Sequence, residues 1–238
     1  MPQTVSRLLL FDLDSTLMRS GGAGMRAMRR AFEQRFGIAE AGPEIVPDGK
    51  TDPNIFREML AAHGVGRGRE QLEIAALSAS YETFLREEMP ASVGARLMPG
   101  VVELLEALQP LEDVALGLLT GNFEITARVK LDRFGLNRFF AFGAFASDHE
   151  QRNRLPPVAV ARAERHTGAA IGLGPHVIVV GDTPLDVACA LEHGATAAGV
   201  ATGRFSVDEL LAAGAHLAVE DLSDTDAVLA ALVPDPLP

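Results

Sequence analysis

The chain has 238 residues, a formal net charge of -11, 47% hydrophobic and 22% charged residues and a single cysteine. That balance fits a soluble globular protein of one large or two modest domains, and it argues against a general nucleic-acid or anionic-membrane surface, which would need clustered Lys and Arg. No run approaches the roughly 18 apolar residues of a membrane helix, the amino end has no secretory-signal pattern, and lone Cys189 excludes an intrachain disulfide or a thiolate cage, so a cytoplasmic location is expected.

Leu8-Leu9-Leu10-Phe11 is a continuous apolar run of the kind found in buried parallel strands, and it ends in Asp12 and Asp14. Ligands bind off the carboxyl ends of such strands, so both acids are expected in a site. Gly21-Gly22-Ala23-Gly24 lacks the Lys-Ser/Thr ending of a phosphate loop and reads as a hinge. Met25, Met28, Phe32 and Phe36 then form one helical stripe, Asp52-Pro53 starts a helix with Asp52 as its N-cap, and Leu72, Leu77, Tyr81 and Leu85 continue the helical pattern. Residues 19 to 93 are expected to be helices without a strand.

After Met98-Pro99-Gly100 a helical face runs through Val101, Leu104, Leu105 and Leu108. A second buried strand, Val114 to Leu119, leads into Thr120-Gly121-Asn122, and a helix over about 123–135 closes at Gly135. A third strand is expected at 139–146, a helix at 157–167 and a fourth strand at 177–181 ending in Asp182 and Asp186. Short strands at 195–201 and 216–219 flank a helix at 207–213, and 234–238 reads as a frayed tail. Strand and helix in alternation specify a parallel α/β sheet covered on both faces. Cys189 lies in a helical setting and reads as a buried small hydrophobe.

Three strand ends thus carry polar clusters: Asp12/Asp14/Thr16, Thr120/Asn122 and Asp182/Asp186. A parallel sheet brings them to one edge. Several carboxylates in one cleft call for a hard divalent cation such as magnesium, which takes few carboxylates, several waters and often substrate phosphate oxygens.

Asp-Leu-Asp-Ser-Thr at 12–16, Leu-Leu-Thr-Gly-Asn at 118–122 and Gly-Asp-Thr-Pro-Leu-Asp at 181–186 together resemble the haloacid dehalogenase-like hydrolase superfamily, in particular its phosphoglycolate-phosphatase-like members. The resemblance implies a Rossmann-like core in residues 1–18 and 94–238 and an all-helical cap in 19–93. It implies Mg2+, with Asp12, Asp14, Asp182 and Asp186 around it, Asp12 as phosphorylated nucleophile and Asp14 as general acid and base steadied by Thr16. Thr120, Gly121 and Asn122 would hold the phosphoryl group.

The lysine that this superfamily places before the fourth strand is missing. Lys130 is ranked first as its substitute, about 10 Å up its helix at about 1.5 Å per residue, with Arg152 second and Arg154 third. In the cap, Lys50 is a candidate for the substrate's own carboxylate or phosphate. The implied activity is a Mg2+-dependent phosphatase acting on a small phosphorylated metabolite, phosphoglycolate leading, through an aspartyl-phosphate. A β-phosphoglucomutase-like mutase and a non-catalytic phosphate-binding protein are the alternatives. Asp14 disfavours a dehalogenase, the helical insert disfavours a receiver-like signalling domain, and monomer or homodimer is left open.

Overall fold

The computed structural model describes residues 5–233; residues 1–4 and the 234–238 tail lie outside it. Six parallel strands form one sheet in the order β5-β4-β1-β6-β7-β8. They are β1 (Arg7–Phe11), β4 (Val114–Leu119), β5 (Gly143–Ala144), β6 (Val177–Gly181), β7 (Thr196–Val200) and β8 (Leu217–Val219). β1 lies at the centre, with Leu10 opposite Gly117 on one side and Val179 on the other.

Successive strand side chains point to opposite faces, and here this divides the core in two. Leu9 and Phe11 join Leu118 and Val180 on one face, packed with α4 (Val101–Leu108), α5 (Glu124–Asp132) and α9 (Thr225–Leu232). Leu8 and Leu10 join Leu119 and Val179 on the other, beneath α6 (Leu155–Thr167), α7 (Pro184–Leu191) and α8 (Val207–Ala212). A strand apolar on both faces can only sit inside such a sandwich.

Helices α1 (Ala23–Phe36), α2 (Asp52–His63) and α3 (Glu70–Ala91) form the cap, an extension of the first apolar cluster. Met28, Phe32, Ile55, Phe56, Leu77, Tyr81 and Leu85 bury its interior. Leu72 departs from expectation: it is 67% exposed, and the buried position is Glu73, whose carboxylate accepts from Arg35 at 2.7 Å.

Two strands were not anticipated from sequence: β2 (Met18–Ser20) and β3 (Ala95–Leu97) pair antiparallel where the chain leaves and re-enters the core. At three residues each they are too short to show a period. Gly21 lies directly against Gly94 at this crossing, with Ser92 Oγ donating to Ser20 O at 2.7 Å. The expected strand over 139–146 shrinks to Gly143–Ala144, preceded by a 3-10 turn at Leu136–Phe139. Phe139 and Phe140 are core side chains, Phe140 lying 6.0 Å from the Phe11 ring.

Candidate active site

The chain bends sharply after β1. Ser15 adopts a left-handed φ of 67°, and Asp12 and Asp14 emerge into a cavity of about 690 Å³ lying between the strand ends and the cap. Asp12 is buried, and Arg152 Nη2 donates to its Oδ1 at 2.7 Å. Burial pushes the Asp12 carboxyl up to about 6 against the opposing pull of Arg152. The same guanidinium bonds Asp186, so one buried cation serves two carboxylates. Burial works against the charge of Arg152, but Asp186 and Asp12 hold its pKa above the ordinary arginine value.

The expected ranking of cations therefore reverses at Asp12, because the 3-10 turn Arg152–Arg154 aims Arg152 inward and leaves Arg154 exposed. Lys130, also buried, goes elsewhere: its Nζ donates to Asp14 Oδ2 and Asn122 Oδ1, both at 2.6 Å. Asn122 Nδ2 adds a second bond to Asp14 Oδ2 at 2.8 Å and one to Thr120 Oγ1 at 2.9 Å. Thr16 does not steady Asp14 as expected. Its hydroxyl donates to Asp182 Oδ1 at 3.2 Å, since the bend at Ser15 turns it toward the end of β6.

Asp186 does double work. Its Oδ2 accepts from the Thr183 N–H at 3.1 Å and hydroxyl at 2.7 Å, closing a capping box on α7, while Oδ1 meets Arg152. Cys189, fully buried on the same helix, has its thiol pushed up to about 12 by burial.

Oxygens of Asp12, Asp182 and Asp186 lie within 4.8 Å of one another. Asp182 is buried, with Thr16 its hydrogen-bond donor among the described residues, and burial followed by Asp186 and Asp12 pushes its carboxyl up to about 9. A side chain at Gly203 would strike Asp182 Oδ2 at 1.9 Å, so the loop after β7 leaves that oxygen its space. A buried carboxylate with no cationic side chain bonded to it fits a hard divalent cation.

The cap is seated on this floor. Any side chain on Gly121 would collide with Lys50 O at 2.3 Å, so a glycine here lets the cap touch the core. Asp52 N donates to Gly121 O at 2.7 Å, and Asp52 Oδ2 accepts from Phe123 N at 2.9 Å and Thr126 Oγ1 at 3.2 Å. The N-cap of α2 is Thr51, not Asp52 as expected; the Asp52 carboxylate crosses to the start of α5 instead. Lys50 reaches the cavity wall, but its Nζ pairs with Glu58 at 2.7 Å. Arg19, Arg96, Arg204 and Tyr81, none of them named as a site residue from the sequence, also line the cavity. Only Tyr81 stood in a recognisable pattern, as a core position of α3.

The sequence model of the haloacid dehalogenase-like hydrolases matches residues 7–194. A curated relative, "Probable phosphatase IndB" of Dickeya dadantii, is 26% identical over 225 residues, 91% of this chain and 90% of that protein. Among solved structures, a hydrolase from Pseudomonas syringae superposes with a TM-score of 0.68 at 23% identity, covering 95% of this chain and 99% of its own. A "predicted phosphatase" from Clostridium acetobutylicum gives 0.69 at 19% identity with the same coverage. At these identities the structural likeness concerns the fold.

Proposed function

We propose, from the premise that this chain belongs to the haloacid dehalogenase-like hydrolase family, that it is a Mg2+-dependent phosphatase for a small phosphorylated metabolite and that it works through an aspartyl-phosphate on Asp12. The observation that carries the reading is the pairing at the end of β1: a buried Asp12 charge-paired with Arg152, and beside it Asp14 held by Lys130 and Asn122.

Asp12, at about 6, is mostly ionised at neutral pH, as a nucleophile must be. Its oxygen bonds to phosphorus while the P–O bond to the leaving alcohol breaks, and the electron pair departs with that oxygen. Asp14 gives this oxygen a proton. In the second step a water oxygen bonds to phosphorus, Asp14 takes the water proton, and the Asp12–phosphorus bond breaks to release phosphate. Lys130 and Asn122 both grip Asp14 Oδ2, which orients the carboxyl for both transfers.

Thr120 and Gly121 at the end of β4 hold phosphoryl oxygens, and Arg152 keeps positive charge beside Asp12 as the anionic substrate arrives. Mg2+, held by Asp12, Asp182 and the Asp14 carbonyl, would neutralise charge on the phosphoryl oxygens when bound. Asp186 supports the set by fixing Arg152. Helices within 19–93 act as a lid whose closed position, latched by Asp52 on α5, excludes bulk water.

The test is phosphate release from a panel of phosphorylated metabolites that includes phosphoglycolate, β-glucose 1-phosphate and nucleoside monophosphates, with Mg2+ and with chelator. Mg2+-dependent release is expected, abolished in Asp12→Asn, while Asp14→Asn turns over slowly and retains a phosphate adduct. Steady-state activity surviving in Asp12→Asn would sink the mechanism. Conversion of β-glucose 1-phosphate to its 6-phosphate without release would make it a mutase.

A further inference from the structure

Three arginines line the hinge side of the cavity in a protein whose net charge is strongly negative. Arg19 and Arg96 stand directly opposite each other in the antiparallel β2–β3 pair. Like charges in that position repel, so the arrangement is unfavourable unless an anion lies between them. Among the described residues, neither forms an ion pair with a carboxylate. Arg19 Nη2 donates to Thr202 O at 2.5 Å, which holds the guanidinium in place, while its Nε is buried with no hydrogen-bond partner. Arg204 is exposed on the same rim, loosely paired with Asp48 at 3.5 Å.

These cations are not needed for the transferring phosphoryl group. Arg152, Thr120, Gly121 and the metal site on the core floor serve it. Arg19 and Arg96 sit instead on the ribbon joining core to cap and Arg204 on the loop after β7, on the wall that a leaving group would face. Lys50, the cationic side chain of the cap nearest in sequence to the docking point, is already neutralised by Glu58.

We propose that Arg19, Arg96 and Arg204 form an anion subsite for a second negative group, carboxylate or phosphate, on the leaving group of the substrate. The inference rests on the phosphatase reading and narrows its substrate class to doubly anionic esters. Arg19 is the pre-set member, Arg96 and Arg204 the adjustable ones.

The experiment compares matched esters in saturating Mg2+: phosphoglycolate against 2-hydroxyethyl phosphate for a carboxylate, and propane-1,3-diol bisphosphate against its monophosphate for a phosphate. p-Nitrophenyl phosphate reports the phosphatase reading separately. The wild-type protein should favour at least one doubly anionic member by tenfold or more in kcat/KM, and which pair shows it identifies the group. In Arg96→Gln that preference should collapse toward one, mainly through KM, and Arg96→Lys should restore part of it.

No preference in the wild type, or an equal loss on every substrate in Arg96→Gln, would overturn the subsite. If no ester at all is hydrolysed, the phosphatase reading has failed, and calorimetry then decides the subsite alone. Phosphoglycolate should bind at least tenfold more tightly than inorganic phosphate, with the difference lost in Arg96→Gln; equal affinities would refute it.

Discussion

Replacing Arg152 with methionine removes a buried cation and keeps much of its volume. The side chains of Arg152, Asp12 and Asp186 are 7%, 8% and 1% exposed, so solvent screens their interactions little. At an effective dielectric of about 20, each pair with charge centres roughly 4 Å apart is worth about 4 kcal/mol before desolvation. Removing one partner of such a buried set typically costs 3–5 kcal/mol net, because the remaining charges are left uncompensated. For a chain of this size that is a fall in Tm of about 10 °C.

Thermal unfolding followed by circular dichroism in chelator would measure it. The loss should depend on pH in a definite sense. Asp12 and Asp182, which burial already raises, lose the lowering pull of Arg152, so the variant is most stable below the unfolded carboxyl pKa near 4 and weakens as pH rises through their raised values. Asp186→Asn, which keeps an oxygen for the Thr183 cap, should recover about 1–3 kcal/mol when combined with Arg152→Met. A loss below about 1 kcal/mol in the single variant, or strict additivity in the double, would refute the account of Arg152 as the shared counter-charge.

Mg2+ at about 100 times its Kd should stabilise the wild type by about 2.7 kcal/mol, a rise of roughly 5–10 °C in Tm, and Asp182→Asn should lose that rise. Asp52→Ala should speed hydrogen exchange of the Phe123 amide roughly tenfold to a hundredfold, the cost of a charged hydrogen bond; unchanged exchange would mean that the latch carries nothing. The Asp52 carboxyl is raised from 3.8 to about 6 by burial, a contribution to stability present below pH 4 and lost as pH rises through 6. Asp52→Asn should therefore remove about 3 kcal/mol of pH dependence across that window, read from chemical unfolding at a series of pH values. Cys189, buried with its thiol pushed up to about 12, should resist alkylation in the native protein and react at once on unfolding, followed by mass spectrometry.

The sheet was legible in the sequence because its strands are apolar on both faces, and only a parallel core accommodates that. Asp12 and Asp182 were legible as strand-end acids for the same reason. What was not legible depends on direction and distance in three dimensions. The helical rise correctly gave Lys130 the reach to enter the site, but could not say that it would stop at Asp14 and Asn122. Arg152 sits in a three-residue turn with no periodicity, so nothing local announced that it faces inward. Asp52 looked like the cap of its own helix because that is the shorter-range bond; its actual target, the start of α5, lies about 70 residues away across the contact between cap and core.

The central position of β1 has a consequence for synthesis. Its neighbours in the sheet begin at Val114 and Val177, so the first strand made waits for partners that emerge as much as about 170 residues later. At ribosomal rates of about 5–20 residues per second that is roughly ten to thirty seconds. During this interval Leu8-Leu9-Leu10-Phe11, fully buried in the finished protein, is an unpaired apolar strand able to associate with others of its kind. Arg7 on one side and Asp12 and Asp14 on the other place charge at both of its ends. The acids proposed for phosphoryl chemistry in the folded protein thus occupy gatekeeper positions beside this run, and variants that neutralise them should yield less soluble protein even where the finished fold would tolerate the change.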